Sequence, residues 1–263
     1  MRPPTCKRPH ALLVLALLST GATIAQANLT PVRPPFGTEA THSSIFSNYY
    51  GGVFAPGPNG APSYTNGAIT ATRVDDTIGK TGIGNNLNLV SGAPDSATTD
   101  QRWEDGIAIT AAVARFAGYT QEFGYDEGNG YVKLFDVAVN GSGGYNVSGS
   151  GSYHFTEGVP WNWVRGGTGQ RYYSENGRNS DGLDHMITYQ ITGLRSSDTV
   201  WMLFWEDRPG AFRSAGSDRD FNDLVVEIRA SVANIVPVPG AALLGGLGMA
   251  IIGLARGRRK FGN

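Results

Sequence analysis

Residues 187–192 place Ile187, Tyr189 and Ile191 on one side of an extended chain and Thr188, Gln190 and Thr192 on the other. That period of two is what a strand with one buried face requires. Similar runs occupy residues 107–116, 131–139, 199–205 and 224–232, with weaker ones at 45–54 and 68–74, and no amphipathic helix stands out. Turn formers separate them, such as Pro56-Gly57-Pro58-Asn59-Gly60, Asn140-Gly141-Ser142-Gly143-Gly144 and Ser174-Glu175-Asn176-Gly177-Arg178-Asn179. Short strands at close spacing without intervening helices predict an all-β chain, a β-sandwich of jelly-roll type over residues 44–235. The 37 glycines and the 16% share of charged residues favour the same turn-rich class. Residues 28–43, with Pro31, Pro34 and Pro35, read as a linker, which leaves Glu39 outside any site.

The two ends have a different character from the body. Arg2, Lys7 and Arg8 precede an apolar run at residues 11–18, and Ala25-Gln26-Ala27 follows as a small-x-small cleavage site. Residues 1–27 therefore read as a cleavable signal peptide cut after Ala27, and export is expected. Cys6, the single cysteine, leaves with it. Disulfides, thiolate metal sites and cysteine nucleophiles are thereby excluded from the exported protein. Residues 28–235 hold 14 Lys and Arg against 22 Asp and Glu, a net charge of −8. An acidic body repels phosphates, so nucleic acid is excluded as a partner.

At the carboxyl end Val236-Pro237-Val238-Pro239 is followed by an apolar stretch at residues 240–255 and by Arg256, Arg258, Arg259 and Lys260. As a helix rising 1.5 Å per residue, that stretch reaches only about 24 Å against a hydrocarbon core of about 30 Å, a marginal membrane span. The order of proline motif, apolar helix and basic tail over residues 236–263 resembles the PEP-CTERM sorting signals of Gram-negative surface proteins. Val238 stands where that motif usually has Glu. The resemblance implies transient anchoring in the inner membrane and processing by an exosortase, with delivery to the envelope surface or extracellular matrix. A permanent single-span anchor is the alternative.

Catalytic motifs fail one by one. Gly79-Lys80-Thr81 imitates the end of a phosphate loop, but Val74 stands where its first glycine belongs. No Gly-x-Ser-x-Gly elbow and no His-Glu-x-x-His pair occurs in the sequence. His42, His154 and His185 are too scattered to suggest a histidine metal centre. The expectation is a protein that is not an enzyme.

The chemistry gathers between residues 205 and 223. Trp205-Glu206-Asp207 ends a strand, and Ser217-Asp218-Arg219-Asp220-Phe221-Asn222-Asp223 precedes the next. Asp218, Asp220 and Asn222 alternate as in a D-x-D-x-N calcium loop, where hard oxygens replace the water around a hard cation. An EF-hand is excluded, because Asp223 and Arg229 stand where it needs Gly and a bidentate Glu. The expected Ca2+ ligands are Asp218, Asp220, Asn222 and Asp223, completed by Glu206 or Asp207. The competing reading makes these acids turn caps with Arg208, Arg213 and Arg219 as ion partners.

Here the sequence is similar to the bacterial domain of unknown function 4114 family, whose end reads Phe-Glu-Asp, a glycine-bearing loop, then Asp-x-Asp-[Phe/Tyr]-Asn-Asp before a hydrophobic strand. Asp184-His185-Met186-Ile187-Thr188-Tyr189 and Ala117-Gly118-Tyr119-Thr120-Gln121-Glu122-Phe123-Gly124 extend the likeness over residues 100–232. The resemblance implies a surface module without catalytic activity, with the aspartates as metal ligands. Two classes stay open: a calcium-stabilised surface or biofilm-matrix protein, or a carbohydrate-binding or carbohydrate-hydrolysing one. The second would use Trp161, Trp163, Tyr172 and Tyr173 as sugar platforms and extracellular polysaccharide as partner. Glu206 and Asp207 would point to opposite faces of a strand, and so could not form a hydrolytic pair by themselves.

Overall fold

The computed structural model describes residues 29–35, 37–56, 63–74, 80–82, 101–104, 106–139, 144–155, 159–167, 169–195, 199–210 and 217–231. The signal peptide, the proline motif and the apolar stretch at 240–255 lie outside the described residues, and so does Arg213. Among the described residues no helix is long and apolar enough to cross a membrane.

One helix, α1 (His42–Tyr50), precedes strands β1 (Ala55–Pro56), β2 (Ser63–Thr65), β3 (Thr70–Arg73), β4 (Lys80–Gly82) and β5 (Arg102–Glu104). The chain continues through β6 (Ile107–Ala114), β7 (Gln121–Asp126), β8 (Val132–Val139), β9 (Val147–Ser148) and β10 (Ser150–His154). It closes with β11 (Asn162–Gly167), β12 (Gln170–Tyr173), β13 (Met186–Thr192), β14 (Thr199–Trp205) and β15 (Leu224–Ser231). Among the described residues an eight-stranded antiparallel sheet runs β1-β2-β3-β13-β14-β15-β6-β10 and a five-stranded one β12-β11-β7-β8-β9.

The two sheets bury a shared core. Phe123, Phe135 and Trp163 of the smaller sheet meet Met186, Leu203, Trp205 and Val226 of the larger, and all five tryptophans join them. Phe155 stacks on Trp161 with centroids 3.5 Å apart, and Phe123 on Trp163 at 5.0 Å. Where β7 bulges against β8, a Cβ on Gly124 would stand 2.1 Å from the Val132 carbonyl oxygen, so only glycine fits.

A second apolar layer covers the other face of the large sheet. Ile187, Tyr189, Met202, Phe204 and Val225 point into it, and Ile45 and Phe46 of α1 close over them. This explains the sequence of β14: Trp201, Leu203 and Trp205 face one core while Met202 and Phe204 face the other, so a strand buried on both sides is apolar throughout. The strand expected over residues 45–54 is mostly α1. His42, Ile45 and Phe46 are buried at i, i+3 and i+4, and Thr41 caps the helix by accepting the Ser44 amide at 3.2 Å. Gly51, with φ +80°, ends it. Weak period-two alternation suggested a strand there, whereas the i, i+3, i+4 spacing and the two caps encode a helix.

The segment read as a linker is packed on the body. Val32 and Ala40 join the outer core, the Thr30 hydroxyl donates to Asp184 Oδ2 at 2.7 Å, and the Arg33 amide donates to the Arg219 carbonyl at 3.0 Å.

Candidate functional site

Antiparallel pairing of β14 with β15 opposes Trp205 to Leu224, so the residues just past one strand meet those just before the other. Glu206 and Asp207 therefore converge with Asp223: one carboxylate oxygen from each lies within 4.8 Å of the other two. Both have left the strand, and the alternation that would send them to opposite faces no longer applies. The Asp207 amide donates to Asp223 Oδ2 at 2.8 Å and the Arg219 amide to Glu206 Oε2 at 2.8 Å. A second trio, Glu39, Asp218 and Asp220, has the same mutual spacing. The expected single shell is thus two adjoining groups, and Glu39 belongs to one of them.

Local backbone sets the loop. Arg219 and Phe221 have φ of +60° and +58°, the left-handed region that costs a residue with a side chain about 1 kcal/mol. Phe221 anchors the turn by burying its ring in the outer core. The Asn222 amide nitrogen donates to Asp220 Oδ2 at 2.9 Å and to the Ala40 carbonyl at 3.0 Å. Its Oδ1 is buried without a donor, as is the Ser217 hydroxyl. His42 Nε2 meets the Asp220 carbonyl at 2.7 Å, while its Nδ1 meets the Tyr189 hydroxyl at 3.0 Å. Burial pushes that imidazole down to about 3, so His42 is a neutral structural group.

The electrostatics are unfavourable as they stand. Burial, then Asp218, raises Glu206 to about 7 and Asp220 to about 8. Burial and the charges of Asp207 and Glu206 push Asp223 well up, and burial with Asp218 raises Glu39. Groups that are costly to ionise together are what a divalent cation would relieve. Two of the arginines of the turn-cap reading turn elsewhere, the third lying outside the described residues: Arg219 Nη1 donates to the Asp184 carbonyl at 2.6 Å, and Arg208 Nη2 to the Tyr119 hydroxyl at 3.2 Å. Beneath the acids Arg165, 1% exposed, pairs with Asp207 Oδ2 at 3.4 Å and bonds Gln121, which itself donates to Asp207 at 2.9 Å. A cleft at this end is lined by residues 116–119 together with Glu39, Glu206 and Asp218.

Two Ca2+ ligands bound to one ion at 2.3–2.6 Å stand at most about 5 Å apart, which suits both trios. All six expected ligands are therefore brought to one end of the sandwich. Glu39, Gln121 and Arg165 were missed. Only tertiary structure brings Glu39 across 179 positions to Asp218, and Gln121 and Arg165 sit in strands whose polar residues carried no spacing signal.

The sugar platform is corrected. Trp161, Trp163 and Tyr172 are 1%, 0% and 3% exposed, held in the aromatic core or stacked on His185 at 3.9 Å, and offer no open face. Tyr173 is half-buried with the Arg178 guanidinium 4.1 Å over its ring. Large aromatics beside turns suggest a binding surface in sequence, but here the inter-sheet core needed their volume.

Residues 146–231 match the family model described as "Domain of unknown function (DUF4114)". The match starts later than the expected residue 100; it takes in β9 to β15 with the acidic loop, and leaves out Glu39 and α1. No curated protein matches the chain. Among solved structures, the Chromobacterium violaceum lectin CV2L in complex with alpha-methyl-fucoside is similar over 49% of this chain and 89% of that one, at 16% identity and a TM-score of 0.32.

Proposed function

We propose that this chain, which carries a DUF4114 domain over residues 146–231, is an exported, non-catalytic β-sandwich protein of a bacterial surface or matrix, stabilised by Ca2+ at the acidic end. The finer arrangement we assign to the sandwich is the jelly-roll type. The reading rests on the convergence of six carboxylates from three chain segments beside a buried carboxamide oxygen that has no donor. Calcium would supply charge compensation and cross-linking, and no redox or acid–base chemistry is asked of it. Extracellular modules bind Ca2+ near 10⁻⁴ to 10⁻³ M, so the ion would load outside the cell and not in the cytoplasm. Export through the signal peptide and sorting of the 236–263 tail by an exosortase-type system belong to the same proposal.

The test is melting of the wild type and of Asp220→Ala, with Ca2+ and with chelator. At about ten times Kd, linkage adds roughly 1.4 kcal/mol to the wild type, and Asp220→Ala should show no such gain. Equal melting of the wild type in both conditions defeats the calcium reading. Intact-mass measurement on protein from the native cell surface checks the sorting claim, which fails if the chain still begins at Met1.

A further inference from the structure

Glu39 lies outside the family match and outside the aspartate loop, yet its carboxylate is within 4.8 Å of oxygens from Asp218 and Asp220. We infer that Glu39 is a calcium ligand, and that the ion bound there clasps residues 29–50 onto the large sheet. This rests on the calcium reading above and adds a regulated element to it.

The contacts of that segment converge on the acidic loop and its neighbours. Arg33 reaches the Arg219 carbonyl, Asn222 reaches the Ala40 carbonyl, His42 reaches the Asp220 carbonyl, and Thr30 reaches Asp184. Without a cation, ionised carboxylates of Glu39, Asp218 and Asp220 within 4.8 Å of one another repel, and that repulsion opposes the docking these hydrogen bonds favour. With a cation between them the sign reverses. Asn222 Oδ1 and Ser217 Oγ, both buried without a partner, are oxygens of this same loop, and oxygen is the ligand atom that calcium takes. The nitrogen of the same carboxamide donates to Asp220 Oδ2 and to the Ala40 carbonyl, which holds the Asn222 side chain at the seam between the loop and residues 29–50.

Behind the clasp stands α1, whose Ile45 and Phe46 cover Tyr189, Met202 and Phe204 on the outer face of the sheet. Calcium binding at Glu39 is therefore linked to covering that face. Linkage is reciprocal: calcium strengthens docking by the factor by which docking strengthens calcium binding.

The experiment is amide hydrogen exchange on the full chain with Ca2+ and with chelator, alongside calcium calorimetry of the wild type and Glu39→Gln. Chelation should speed exchange in residues 29–50 by about tenfold or more while β8 changes little, and Glu39→Gln should weaken calcium by a similar factor. If calcium binds but exchange in 29–50 ignores chelation, or if Glu39→Gln binds as tightly as the wild type, the clasp is wrong and the calcium reading stands. If the wild type shows no binding at millimolar Ca2+, the calcium reading falls and takes the clasp with it.

Discussion

The inter-sheet core and the acidic end sit a few residues apart along β14, and they are stabilised in opposite ways. Trp201, Leu203 and Trp205 are buried in the inter-sheet apolar cluster, so what stabilises them is apolar packing supplied by the chain itself. Glu206 and Asp207, the next two residues, are as deeply buried but stand among acids: Arg165 pairs with Asp207, while Glu206 faces the like charges of Asp218 and Asp207. The first region completes its apolar packing from within the chain, although the indole nitrogens of Trp161, Trp163 and Trp205 are buried there without a partner. The second is complete only with protons or a cation, which ties its stability to the medium.

The largest effect that sharpens this contrast is Trp163→Ala. Removing a fully buried indole from the stack on Phe123 should cost about 3–5 kcal/mol in urea unfolding, by the same amount with or without Ca2+. A loss that varied with calcium would mean that the two regions are not independent.

Arg165→Met comes next, because it removes the cation buried beneath Asp207. The metal-free protein should lose about 3 kcal/mol, since breaking a buried pair leaves an uncompensated charge. Calcium binding should tighten, because a positive charge near the ion has gone. Weaker calcium binding in this variant would place the ion away from Asp207.

The pH dependence follows from the raised carboxyls. Glu206 near 7 and Asp220 near 8 hold protons in the folded state that the unfolded chain releases at about pH 4. Metal-free stability should therefore fall as pH rises toward about 8 and then level off, most steeply above about 6.5, because at lower pH the buried neutral His42, which only the unfolded chain protonates, contributes in the opposite sense. Glu175 behaves conversely: hydrogen bonds from Arg102 hold it below its usual value, and its contribution is lost only as pH falls below about 4. Saturating Ca2+ should flatten the decline between 4 and 8. Thermal melts across that range check it, and a metal-free melting temperature that rises with pH above about 6.5 would contradict the assignment.

The smallest effect separates calcium from magnesium. Magnesium demands a tight octahedron and keeps its waters, so at equal millimolar concentration it should raise the melting temperature by much less.

Strand positions were legible where alternation or continuous apolar runs met turn formers: residues 199–205 coincide with β14, and 224–232 run one residue past β15. Helix α1 was not, since its short aromatic stretch carries both periods and only packing against β13 and β14 decides between them. The aspartates of the loop were legible from their spacing. Glu39 was not, because a lone acid in a proline-rich stretch has no period, and its place beside Asp218 and Asp220 arises from a contact between residues far apart in the chain. Trp161 and Trp163 were misread for the same reason, since sequence shows that a ring is present and not which side of a sheet it takes.

Calorimetric titration of the chelator-treated protein with Ca2+ tests the central claim most directly. The account predicts saturable binding with Kd near 10⁻⁴ to 10⁻³ M, lost in Asp220→Ala and retained in Trp163→Ala under conditions where that variant is folded. Absence of binding heat up to several millimolar Ca2+, with melting unchanged by chelator, would show that the acids are turn caps held by protons and that no ion completes this end of the sandwich.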